Sequence, residues 1–159
     1  MTARADVETQ RICKVATAPR DDEMRAWVEA AITASATGGS AFAVVVRIVD
    51  EQESRMLNHR FRGKDTPTNV LAFPADEAAI PGLPARARRQ LGDLAICGPV
   101  VEREAREQGK DAAAHWGHLL VHGTLHLLGY DHQMQADAAR MERLEAQILG
   151  ARGLPDPYA

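Results

Sequence analysis

The chain has 159 residues, room for one domain at roughly 150 residues per domain, and a chain of that size buries about 70% of its unfolded surface without a metal to hold it together. Its 45% apolar and 26% charged residues exclude disorder, collagen-like repeats and a coiled coil for the chain as a whole. Lys plus Arg number 19 against 22 for Asp plus Glu, so at a net charge of −3 any attraction to nucleic acid or membrane must be local.

The first thirty residues carry charges throughout and contain no apolar core of a signal peptide. Cys13 and Cys97 stand far apart with no CxxC, which fits a reducing compartment. The longest apolar stretch of the first half, AFAVVV at 41–46, is too short to span a bilayer. A soluble, cytoplasmic protein with no membrane partner is expected. Residues 5–16 can open the fold with an edge strand. Over 21–36, Met24, Trp27, Val28, Ala31 and Ile32 recur at helical spacing, with Asp21 placed to cap the helix and Gly38-Gly39 to break the chain after it. FAVVVRIVD at 42–50 is β-branched and nearly continuously apolar, the pattern of a buried strand. A short helix follows over 51–62, with Met56, Leu57 and Phe61 as its apolar side.

TNVLAF at 68–73 lies between Thr66-Pro67 and Pro74 and reads as a second compact strand, and GDLAIC at 92–97 as another. Pro99 suits the first turn of a helix that runs to Gly109. Asp111 can cap the next helix, which reaches Gly129, and a last amphipathic helix covers about 134–149 with Met134, Met141, Leu144 and Ile148 on one face. The LPDPYA segment is Pro-rich and irregular. The order argues an α+β fold: a small mixed β-sheet of about four strands packed against five or so helices, in a single domain over 1–159.

Four of the six histidines fall in HLLVHGTLHLLGYDH at 118–132. His122 and His126 are four apart and share one helical face. Gly129 can end the helix in a left-handed conformation, and His132 then stands three residues beyond the turn. This H-x-x-x-H-x-x-G-x-x-H spacing builds three-histidine zinc sites, and three imidazoles leave the fourth tetrahedral position open for water. His118 lies one turn before His122; as a fourth ligand it would close the site, so a role beside the ligands or in packing suits it better. His115 and His59 have no motif around them. Zinc proteases of this spacing carry Glu directly after the first His as general base; here that residue is Gly123, which argues against peptide hydrolysis by that route. Asp131, beside His132, can orient a ligand imidazole or serve as a base, and the orienting role is favoured.

VHGTLHLLGYDH at 121–132 resembles the signature of the YbeY family of bacterial endoribonucleases and ribosomal RNA maturation factors. FRGKDTPTNVLAFP at 61–74, LGDLAIC at 91–97, the EAREQGK and HWGHLLVHG blocks at 104–123 and the DPY at 156–158 resemble family blocks in the family's order. Ala72 stands where the family more often shows Ser. The resemblance implies a small mixed sheet packed on helices, one Zn2+ per chain on His122, His126 and His132, and a functional arginine at Arg62. It further implies cleavage of single-stranded RNA in small-subunit ribosomal RNA maturation and ribosome quality control. The expected partners are ribosomal RNA, the small ribosomal subunit and ribosome-associated proteins; DNA is not expected.

The chemistry expected of such a site pairs His122 and its metal with Arg62 on the phosphate, whose planar fork suits two non-bridging oxygens. The nucleophile is either zinc-generated hydroxide or the neighbouring 2′-OH. Residues 54–64 hold four basic residues and no acid, and RARR at 86–89 adds three more. Arg60, Lys64, Arg86, Arg88 and Arg89 are thus candidates for a local phosphate track, with a solvated face as the plain alternative. Only 4% of residues are aromatic, so weak sequence preference is expected. Two other readings stand beside the nuclease: a ribosome-assembly or RNA-binding factor with a mainly structural zinc, and a zinc hydrolase of small substrates or peptides.

Overall fold

The computed structural model describes residues 3–35, 41–75, 89–130 and 135–158, with the side chains of 89, 135 and 136 outside that description. In chain order the elements are β1 (Arg4–Arg11), α1 (Asp21–Ala34), β2 (Ala41–Val49), α2 (Glu51–Arg62), β3 (Val70–Pro74), β4 (Arg89–Cys97), α3 (Gly98–Gln108), α4 (Ala112–Leu127) and α5 (Gln135–Ala151). The four strands form one sheet in the order β1-β2-β4-β3. β1 and β4 flank β2 in parallel, while β3 closes the other edge antiparallel to β4, with Val70 opposite Ile96 and Pro74 opposite Gly92. The α+β reading with a small mixed sheet is therefore what the chain adopts.

Parallel neighbours need a crossover of a dozen or more residues, and α1 supplies it between β1 and β2. Its buried Met24, Val28 and Ile32 join Phe42, Val44, Val46 and Ile48 of β2, Leu94 and Ile96 of β4, and Trp116, Leu119 and Leu120 of α4 in the main core. A second cluster of Ala31, Val121, Leu125, Met141 and Ile148 ties α1, α4 and α5 together. The buried residues of β2 alternate with half-buried ones as far as Ile48, and Val49 is buried as well. The main core seals one face of this apolar run; the other face carries Arg47, which holds Glu53 through Nε at 2.5 Å and Gln10 through Nη1 at 3.0 Å, and ends at Val49, buried with Cys97 of β4 and Val100 of α3.

Two local expectations are corrected. α1 is capped at Arg20, whose N–H donates to Glu23 Oε1 at 3.1 Å, because Asp21 is drawn instead to Arg11 at 2.7 Å. In α2 the buried residues are Ser54 and Asn58, whereas Met56 and Phe61 are 59% and 50% exposed. The polar pair wins the interior because it satisfies the loop before β3. Ser54 Oγ donates to Thr68 O at 2.9 Å and accepts Thr68 N–H at 2.9 Å, and Asn58 Nδ2 donates to Thr66 O at 2.8 Å.

α4 is the central helix. It lies close to the sheet because Gly123 faces it: a Cβ there would stand 2.8 Å from Leu94 Cδ2 and 3.3 Å from Val70 Cγ2. Position 123 points into the core, so the glycine is demanded by packing as well as lacking a carboxylate.

Candidate metal centre and phosphate-contacting residues

α4 is capped at Leu128, and the chain leaves it through Gly129 at φ +102, a conformation that favours glycine. His118, His122 and His126 occupy successive turns, with ring centroids 6.1 Å apart for the first pair and 4.8 Å for the second, both edge to face. The structure thus brings His122 and His126 together on one helix face. His132 and Asp131 lie outside the described residues.

Behind these rings stands a residue that sequence reasoning missed. Glu145 of α5 has no solvent exposure, and its Oε1 lies 2.5 Å from His122 Nδ1 while its Oε2 lies 3.0 Å from His118 Nε2. Tyr158 donates its hydroxyl to the same Oε2. Burial pushes the Glu145 carboxyl upward, but the hydrogen bonds from His118, His122 and Tyr158 outweigh it and hold the group at about 2, below its ordinary 4.5. Glu145 is therefore an anion at neutral pH. The legible signal was its place on the Met141–Leu144–Ile148 face of an amphipathic helix, where a charge is rarely buried without partners.

An ionised carboxylate on His122 Nδ1 fixes the proton on that nitrogen and leaves the lone pair on Nε2. Among the described residues, His118, His122 and Glu145 have ligand-type atoms within 4.8 Å of one another, a group able to hold a metal ion. His115, one turn earlier, is 4% exposed and bonds Glu104 Oε1 through Nε2 at 2.9 Å, while Asn69 Nδ2 donates to the same oxygen at 3.1 Å.

The basic candidates lie elsewhere, on α2 and the sheet edge. Arg62 Nη2 donates to Ala72 O at 2.9 Å and Nη1 to Phe61 O at 3.2 Å, and its guanidinium sits 5.6 Å from the Phe73 ring centroid. The arginine thus uses the backbone of residue 72, so alanine in place of serine there leaves this contact intact. Arg60 lies 5.4 Å from the Phe61 ring centroid and Lys64 is exposed. Arg55 pairs with Asp65 at the surface, with contacts of 2.8 and 3.0 Å. Arg89 opens β4, its side chain outside the described residues, as are Arg86 and Arg88 entirely.

This arrangement, an α+β scaffold with paired imidazoles backed by a carboxylate, defines a candidate hydrolase centre. Comparison with known proteins identifies the class. The profile of the family described as Endoribonuclease YbeY matches residues 7–153. Endoribonuclease YbeY of Halorhodospira halophila is 57% identical over 143 residues, 90% of each chain. The protein of that name from Pseudomonas putida is 49% identical over 155 residues, 97% of this chain and 93% of its own. The solution structure of a Thermotoga maritima protein shares the fold at a TM-score of 0.53 and 23% identity, covering 92% of this chain and 91% of the other. The chain belongs to the YbeY endoribonuclease family. It is an enzyme of the RNA-cleaving hydrolase class.

Proposed function

We propose that the chain acts as a zinc-dependent endoribonuclease on single-stranded RNA, in small-subunit ribosomal RNA maturation and ribosome quality control. The whole chain, 1–159, works as one catalytic domain in the cytoplasm, with the small ribosomal subunit and its associated proteins as partners. Free Cys13 and Cys97 are consistent with a reducing compartment, and no helix among the described residues is long and apolar enough to cross a membrane.

The observation that carries the reading is the His122–His126 pair on a buried helix, with the Glu145 carboxylate behind the first ring. The donor set fits zinc: imidazole is a favoured ligand, and the carboxylate orients His122 as the lone pair on Nε2 requires. In this reading His122, His126 and His132 hold the metal, while Glu145, His118 and Asp131 support the rings. Glu145 stands at hydrogen-bond distance from both histidines, the position of a carboxylate that orients ligand imidazoles from behind. Zinc bound to three imidazoles supplies Lewis-acid charge and a water whose pKa is lowered to ~7.

The chain's own residues then grip and neutralise the phosphate. Arg62 is held at the β3 edge by two carbonyls, and a guanidinium has about five N–H donors in all, so donors remain for a phosphate oxygen. Arg60 on α2 and Lys64 just beyond it continue the charge, with Arg86, Arg88 and Arg89 as further phosphate contacts. Replacing Arg62 by alanine is expected to leave zinc content unchanged and to lower the cleavage rate by about 100-fold or more. Lysine at 62 is expected to restore little, because a point charge lacks the fork. Cleavage by Arg62→Ala at the wild-type rate would contradict this role, and RNA binding without cleavage by the zinc-loaded wild type would favour the assembly factor.

A further inference from the structure

The DPY segment at 156–158 has no task in the chemistry above, yet it reaches the centre. After α5 the chain reverses at Gly153, where φ is +78, and Leu154 N–H returns to Leu149 O at 3.0 Å. Leu154, Pro155, Asp156 and Pro157 then pass His115 and His118, lining with them a cleft of about 350 Å³. Two prolines fix φ along this strap and reduce the entropy lost on ordering it. Asp156 Oδ1 accepts the N–H of Tyr158 at 2.8 Å, a local turn that aims the ring.

The ring meets His118 edge to face, with centroids 5.5 Å apart at 89°. Its hydroxyl donates to Glu145 Oε2 and lies 3.2 Å from His118 Nε2. The carboxylate is thus divided: Oε2 receives Tyr158 and His118, and Oε1 is left to His122 Nδ1. With Oε2 held from two sides, the carboxylate cannot rotate away from His122.

We propose that Tyr158 is a positioning residue for the metal centre, its hydroxyl pinning Glu145 so that His122 presents one ring nitrogen in a single tautomer and orientation. The inference rests on the three-histidine reading of the centre. A tyrosine serving only as packing would lose nothing essential on conversion to phenylalanine, which keeps the ring and the strap.

The test compares wild type and Tyr158→Phe. In the metal-free proteins, long-range proton–nitrogen NMR of the histidine rings is expected to show His122 with its proton on Nδ1 in wild type and a tautomer mixture in the variant. Zinc affinity, read by chelator competition, is expected to weaken by about tenfold, the low end for partners lying behind a ligand, with melting of the metal-free protein little changed. An unchanged His122 tautomer and unchanged zinc affinity would overturn the inference. A wild type that binds no zinc would overturn the three-histidine reading instead, and the tautomer spectra would still decide whether Tyr158 governs His122.

Discussion

Glu145→Ala is expected to lower the melting temperature of the metal-free protein by roughly 10 °C and to weaken zinc binding by about 10–100-fold. The side chain is fully buried and is the shared partner of His118, His122 and Tyr158. Removing one member of such a network leaves polar groups unpaired in the interior, at a cost of about 3–5 kcal/mol. The pH dependence has a definite sign. The carboxyl is held at about 2 against an ordinary 4.5, so its contribution is complete above about 4.5 and disappears as the pH falls toward 2. The variant is therefore expected to lose that part of the acid limb in metal-free melting curves. Complete loss of zinc binding in a folded Glu145→Ala protein would show that Glu145 is itself a ligand, against the arrangement proposed.

Gly92→Ala is expected to destabilise the sheet by about 4 kcal/mol, a combination of backbone strain and overpacking. The register between β2 and β4 shifts here, Ala43 pairing with Gln90 and Val44 with Gly92, which leaves Leu91 as the extra residue of a bulge. Gly92 takes φ +137, and a Cβ would stand 2.2 Å from Phe73 O and 2.8 Å from Ala75 N. Both are backbone atoms that cannot step aside, so β3 must move and the Ala75 N–H to Leu91 O bond of 2.9 Å is strained. Because β3 also carries the Ala72 carbonyl that holds Arg62, cleavage is expected to fall while zinc content is retained. A melting temperature within about 2 °C of wild type, a shift worth no more than about 1 kcal/mol in a chain this size, would refute the argument.

Much of this was legible in the chain. The βα order, the β-branched segment at 42–50 and the helix carrying HLLVHGTLHLL follow from periodicity and punctuation, and the elements formed where those signals stand. The His122–His126 pair follows from helical spacing alone. What was not legible depends on three-dimensional partners. The interior of α2 goes to Ser54 and Asn58 because a loop beyond the helix, at Thr66 and Thr68, needs their hydrogen bonds, and local apolar spacing contains no trace of that loop. Glu145 and Tyr158 reach the histidines from α5 and the strap beyond it, contacts that no single helical wheel displays. Gly123 reads in sequence as a missing general base; only the packed helix shows that the position faces Leu94 and Val70.

The most direct test of the central claim compares wild type with His126→Ala, purified side by side, by metal content and by cleavage of a ribosomal RNA fragment. The account predicts that wild type carries one zinc and cuts, whereas the variant loses both metal and cleavage. Equal cutting by the two preparations, or undiminished cutting after metal is lost, would contradict a zinc-dependent nuclease centred on these histidines.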